Sequence, residues 1–251
     1  MKKFFSMTMF AAAALFTSAA HADDYVSETR TIDGRAVKVV LDGVISLKLK
    51  QGPASLVVSG DKRYLPKVTV TQSGDTLRIG TDLNGVHMDN PRLSAELSLP
   101  QVRELVSAGV GSAEMNGFTG DSMRLSLEGA GAVKMNSQYR KVEARLTGVG
   151  SMNVNAGNAE DVDLNLRGAG QITIAGQSKN LHALLGGIGS LDAKQLQSES
   201  LDAEMTGLGS ATFYAKNSAN LRLSGMGSAT VYGKPATRNS TARGLGSVAW
   251  N

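Results

Sequence analysis

The sequence predicts an all-β solenoid, a single-stranded parallel β-helix with coils of about twenty residues. Three observations predict it. Eight Gly-x-Gly pairs recur: Gly109 and Gly111, Gly129 and Gly131, Gly148 and Gly150, Gly168 and Gly170, Gly187 and Gly189, Gly207 and Gly209, Gly225 and Gly227, and Gly244 and Gly246. Their first members follow one another at 20, 19, 20, 19, 20, 18 and 19 residues, a spacing of one solenoid turn. Apolar residues keep fixed places relative to each pair, and outside the N-terminal leader no stretch has a helical period.

The chain opens as a secretory signal. Lys2 and Lys3 precede an apolar run from about Met7 to Ala20, and Ala20-His21-Ala22 supplies a small-x-small cleavage pattern. The run is shorter than the roughly 20 residues a bilayer span needs, so residues 1–22 read as cleaved and the mature chain as free of membrane spans. Residues 23–35 read as an N-terminal extension. The mature 229 residues carry 24 Lys and Arg against 22 Asp and Glu. That near balance argues against nucleic acid as a partner, which calls for a concentrated basic face. The absence of cysteine excludes disulfides, thiolate metal sites and thiol nucleophiles. The apolar core alone must hold the fold.

Residues 36–99 alternate with period two. Ile45, Leu47 and Leu49 begin the pattern, followed by Leu56 and Val58, Val68 and Val70, Leu77 and Ile79, and Leu93, Ala95, Leu97 and Leu99. Gly52-Pro53, Gly60-Asp61, Ser73-Gly74-Asp75 and Asn90-Pro91 punctuate these strands. A solenoid needs ends that block edge pairing, so this segment reads as an N-terminal β cap, one continuous domain with the repeats. The unpatterned loop from Gly80 to Arg92, with His87, Met88 and Asp89, reads as a surface excursion.

Residues 100–251 are the repeats, about eight coils. Two residues before each pair stand Leu127, Leu146, Leu166, Leu185, Met205 and Leu223. Six after the first glycine stand Met115, Met135, Val154, Ile174, Ala193, Phe213, Val231 and Trp250, the last expected to close the final coil. The residue between the glycines is always apolar: Val110, Ala130, Val149, Ala169, Ile188, Leu208, Met226 and Leu245. We expect it to point inward and fill the core, with each glycine removing an outward side chain. Glycine is poor in a strand, so doublets in register imply a bend, a bulge or a close backbone approach. Ser112, Ser151, Ser190, Ser210, Ser228 and Ser247 form one further column, interrupted by Ala132 and Gln171. A nucleophile repeated six times has no mechanistic use, so the column reads as a structural hydroxyl ladder.

Several stretches carry a resemblance. They are Asp42-Gly43-Val44-Ile45-Ser46-Leu47-Lys48-Leu49, Leu56-Val57-Val58-Ser59-Gly60, Val68-Thr69-Val70, Gly74-Asp75-Thr76-Leu77-Arg78-Ile79 and Leu97-Ser98-Leu99-Pro100, followed by serial Gly-x-Gly-Ser. Together, over about residues 32–249, the chain resembles the putative auto-transporter adhesin, head GIN domain family. That resemblance implies a right-handed β-helix, export to the periplasm or cell surface of a Gram-negative bacterium, and a recognition, adhesion or scaffold role. A glycan or an envelope or surface protein is the implied kind of partner. The family brings no catalytic residues to transfer.

The residues themselves point to no reaction. Dinucleotide loops need a third glycine before a helix, and here Glu114, Lys134, Asn153 and Asp192 stand in that place. The mature chain has only His87 and His182, with no nucleophile-elbow motif and no metal-ligand spacing. We therefore expect no catalytic, cofactor or metal residues and no enzyme activity. One row qualifies that expectation. Five before each first glycine stand Glu104, Arg124, Glu143, Asp163, His182, Asp202, Asn220 and Asn239, so Glu143, Asp163 and Asp202 could line one outer face with Arg145 and Arg167 close by. Such a row suits a binding strip, a Ca²⁺ site or the carboxylates of a polysaccharide lyase or hydrolase; a solvated charged face is its plainer reading.

Overall fold

The computed structural model describes residues 25–82 and 92–251. The leader and loop residues His87, Met88 and Asp89 lie outside the described residues. The N-terminal strands are β1 (Tyr25–Arg30), β2 (Lys38–Asp42), β3 (Ser46–Gln51), β4 (Ser55–Asp61), β5 (Val68–Ser73), β6 (Thr76–Thr81), β7 (Ser94–Leu99) and β8 (Glu104–Ser107). The full-turn strands are β9 (Val110–Leu127), β10 (Ala130–Leu146), β11 (Val149–Leu166), β12 (Ala169–Leu185), β13 (Ile188–Met205) and β14 (Leu208–Leu223). Shorter β15 (Met226–Tyr232), β16 (Thr237–Ala242) and β17 (Ser247–Trp250) finish the stack. The helical content among the described residues is one turn at Leu65–Lys67.

Each long strand pairs in parallel with the next, and the glycines pair with glycines. Gly111, Gly131, Gly150, Gly170, Gly189, Gly209 and Gly227 form one unbroken line along the stack. The chain is thus a parallel β-solenoid with an N-terminal antiparallel region. There β4 pairs antiparallel with β1 and β7, and β5 with β6. β2 and β3 are themselves the first coil, pairing in parallel with β8 and β9, and Val44 bridges Val110. In that coil Gly43 stands for the first glycine and buried Ile45 for the second.

Inside, the columns pack as expected. Leu127, Leu146, Leu166, Leu185, Met205 and Leu223 are at most 2 % exposed, and Met115, Val154, Ile174 and Phe213 are equally buried. Burying one such side chain contributes about 2 kcal/mol. Trp250 is partly buried against this core, with Arg238 over its ring at 5.6 Å.

The residue between the glycines faces the opposite way from the sequence expectation. Val110, Val149, Ile188, Leu208, Met226 and Leu245 are 41–83 % exposed. Alternation explains it: the buried positions lie two before and four after the first glycine, so both glycines share their inward direction and the residue between them points out. The glycines are needed because the inward side of this bend is filled by backbone. A Cβ on Gly148 would meet the carbonyl oxygens of Gly129 and Glu128, and one on Gly189 the carbonyl oxygen of Gly170. Gly189 also has φ +152°, a value that L side chains rarely adopt. The hydrogen bonds mark the bend as well. The N–H groups of Arg167 and Gly168 both donate to the Leu146 carbonyl, at 2.9 and 3.0 Å, and those of Gly186 and Gly187 both donate to that of Leu166, at 2.8 and 3.1 Å. Two successive N–H groups converging on one carbonyl mark a sharp change of strand direction, with two residues facing two and no shift of register.

Candidate functional site

Three outward features of the coils could meet a partner: an apolar ridge, a charged row and a polar notch. The ridge is the column just described. Because the glycine bend repeats without slippage, its exposed apolar side chains stack at the strand spacing of about 4.8 Å. Ala169, Ile188, Leu208 and Met226, with Gly186 and Gly187 beside them, border an open hollow of about 550 Å³. Gly186 stands one residue before its pair, where other coils carry Thr147, Arg167 or Thr206, and so leaves the hollow without a wall side chain. The serine column runs alongside. Ser112 donates a hydrogen bond to Ser46 of the first coil (3.2 Å), the one hydroxyl–hydroxyl bond of the column among the described residues. The serines thus line up without forming the expected ladder of bonds; Ser151, Ser210 and Ser228 are solvent-exposed.

The charged row forms as its spacing requires. Glu104, Arg124, Glu143, Asp163, His182, Asp202, Asn220 and Asn239 pair successively from coil to coil. Glu143 accepts hydrogen bonds from Arg124 and Arg145, each at 2.8 Å. Asp202 accepts one from Asn220 at 3.0 Å and pairs with Arg222 at 3.4 Å. Arg145 therefore belongs to the row, two residues along from Glu143. Arg167 does not: it lies on the glycine bend and borders the apolar hollow. Asp163 has no ion-pair partner among the described residues. Partial burial, together with the nearby carboxylates of Glu143 and Asp161, pushes its carboxyl above the usual range, while His182 and Lys141 draw it down. The side chain still has substantial exposure, so solvent screens the effect. Asp161 goes the other way, held low chiefly by a hydrogen bond from Asn180 at 2.9 Å. Among the described residues no group of three or more His, Asp or Glu is arranged to hold a metal ion.

The notch lies at the second bend of the coils, where register slips. Asn158, Gln177, Gln197, Lys179, Glu199 and Tyr214 contribute to its wall, around about 390 Å³. The sequence reading missed both this notch and the ridge. Counting alternate residues across the glycine pair would have revealed the ridge; the notch had only the unequal repeat lengths as a signal.

This architecture can be compared with known proteins. Residues 37–235 match the family described as "Putative auto-transporter adhesin, head GIN domain". The chain belongs to that family. Among solved structures, a putative adhesin from Parabacteroides distasonis is similar over 90 % of this chain and 97 % of its own, at 22 % identity and TM-score 0.83. One from Parabacteroides merdae covers 90 % and 96 %, at 19 % identity and TM-score 0.81. A protein described as a putative lipid binding protein, also from P. distasonis, covers 90 % and 96 %, at 19 % identity and TM-score 0.82. At these identities the likeness shows a shared fold. No curated protein matches the chain. No helix among the described residues is long and apolar enough to cross a membrane.

Proposed function

We propose that this adhesin-family solenoid is an exported, non-enzymatic recognition surface of the Gram-negative cell envelope. The observation that carries the reading is the exposed ridge from Val110 to Leu245. Six large apolar side chains in one line on a soluble surface are costly unless something covers them, and contiguous exposed apolar patches mark interaction sites. Around them, the serine column and Arg167 supply the polar rim usual at an interface. Binding would be spread over several coils, so no single side chain should dominate.

The charged row favours the same reading over polysaccharide cleavage. A general acid and base need carboxylates free to exchange protons with substrate. Glu143 is held by two guanidiniums, Asp202 by an amide and a guanidinium, and Glu104 by Lys38. Asp163 therefore has no second free carboxylate of the row to complete an acid–base pair. The test uses purified mature protein on outer-membrane vesicles and glycan arrays, with uronate-release assays run in parallel. Saturable binding without product, lost in a Val149→Ser/Ile188→Ser/Met226→Ser variant, is the expected result. Product formation that disappears in Asp163→Asn or Asp202→Asn would replace this reading with an enzymatic one.

A further inference from the structure

The polar notch is built differently from the rest of the surface. Between β11 and β12, Asn158 pairs with Gln177, and between β12 and β13, Gln177 pairs with Gln197. Three side-chain amides therefore stand in one line at the strand spacing, about 4.8 Å apart. On the next coil the line stops. Register slips on both sides of Ser198, which pairs with Ala215, and Gln197 has no registered partner on β14. This gap opens the hollow, with Tyr214 and Lys216 on its far side.

The lining holds a second, independent oddity. Ser137, Ser178 and Ser198 are buried polar residues at this bend. The Ser137 hydroxyl accepts a hydrogen bond from the Phe118 N–H at 3.3 Å, and the Ser198 hydroxyl donates to the Tyr214 carbonyl. The Ser178 hydroxyl has no partner among the described residues, although its residue is only 5 % exposed and lines the notch. A buried hydroxyl without a partner costs about 1–3 kcal/mol, and that of Ser178 sits beneath the notch, closed to solvent.

We propose that this notch is a binding subsite that holds one or two pyranose units of a short neutral oligosaccharide. The proposal rests on reading the chain as a binding protein and is independent of the ridge. Sugar hydroxyls donate and accept at once, and the side-chain amides of Asn158, Gln177 and Gln197 do the same. Tyr214 supplies apolar ring surface with a polar tip, which suits a ligand of C–H faces and hydroxyl edges. The charges nearby cancel. Lys179 is paired with Glu160 at 3.2 Å, and Lys216 faces the notch together with Glu199, so an ionic ligand gains nothing over a neutral one. The volume falls within the range of small-molecule sites.

The experiment is calorimetry and saturation-transfer NMR on the full mature chain with diacetylchitobiose, cellotriose, maltotriose and, as the acidic control, digalacturonate. At least one neutral probe should bind saturably at one site. Gln177→Ala/Gln197→Ala should weaken it at least tenfold with an unchanged melting temperature, since both side chains are exposed. Ser178→Ala should leave binding unchanged and stability equal or higher, because its hydroxyl is closed off from the notch. An Ile188→Ser/Leu208→Ser ridge variant should bind the probe like the parent. Absence of saturable binding by every neutral probe, equal binding by the Gln177→Ala/Gln197→Ala variant, or binding of digalacturonate alone would overturn the proposal. Any of these could occur with vesicle binding intact, so the notch and the ridge fail separately.

Discussion

Each coil turns at the glycine bend and again at the irregular bend, and the two obey different rules. At the glycine bend, seven glycines pair in line from Gly111 to Gly227 with no slip. Every register shift among β9 to β14 falls at the other bend: at 136–141, 155–158, 173–175 and 193–200. Differences in repeat length are absorbed there. The contrast has a physical source. At the glycine bend, backbone touches backbone across coils and any side chain or extra residue collides. At the irregular bend side chains fill the space, Gly117 and Gly157 turn with φ of +78° and +60°, and coils can differ. A solenoid can therefore vary its recognition surface at one bend only, while the other holds the stack and carries the ridge.

Insertion is the harshest way to break this comparison. One residue placed between Gly148 and Val149 flips every side chain after it to the other face until register recovers. We expect loss of the cooperative melt. The same residue placed after exposed Lys194, in the unpaired stretch of the irregular bend, should cost under about 1 kcal/mol, because extra length there is absorbed by the existing register shift. Next in size is the core beside the glycines. Leu166→Ala should lose about 2–5 kcal/mol in denaturant unfolding, since this leucine is fully buried. A smaller effect sits at the irregular bend. The Tyr139 hydroxyl donates to the Val102 carbonyl at 2.8 Å, and burial raises its pKa. Tyr139→Phe should cost about 1 kcal/mol, with no change in register.

The smallest effect is one of pH. The folded-state pKa of Asp163 is raised, so the native chain holds this proton more readily than the unfolded one. Its contribution to stability therefore falls as pH climbs from the ordinary aspartate value through the raised one, and the penalty is fully present above it. Asp163→Asn should raise the melting temperature slightly at pH 7 and leave it unchanged at pH 3. A fall at pH 7 would mean that the carboxylate is stabilised by a contact.

Much of this architecture was legible in advance. The glycine period set coil length, and the columns containing Leu166 and Val154 identified the core. The Glu143–Asp163–Asp202 row followed from spacing alone. The ridge was misread because Val149 and Ile188 were judged by their apolar character, although counting from Leu146 and Leu185 places them outward. Coil one was hidden by Ile45, which replaces the second glycine. The notch could not be read, since it arises from a register slip between strands of 18 and 16 residues that leaves no local pattern.

The central claim is that the glycines, and not the apolar residue between them, hold the stack together. Paired thermal melts of Gly189→Ala and Ile188→Ser test it on adjacent residues. We predict that Gly189→Ala loses about 3 kcal/mol, roughly 6–12 °C, because its new methyl meets the Gly170 carbonyl. Ile188→Ser should stay within about 0.5 kcal/mol of the parent, as surface substitutions do. The reverse order, with Ile188→Ser unfolding the chain and Gly189→Ala tolerated, would contradict the account.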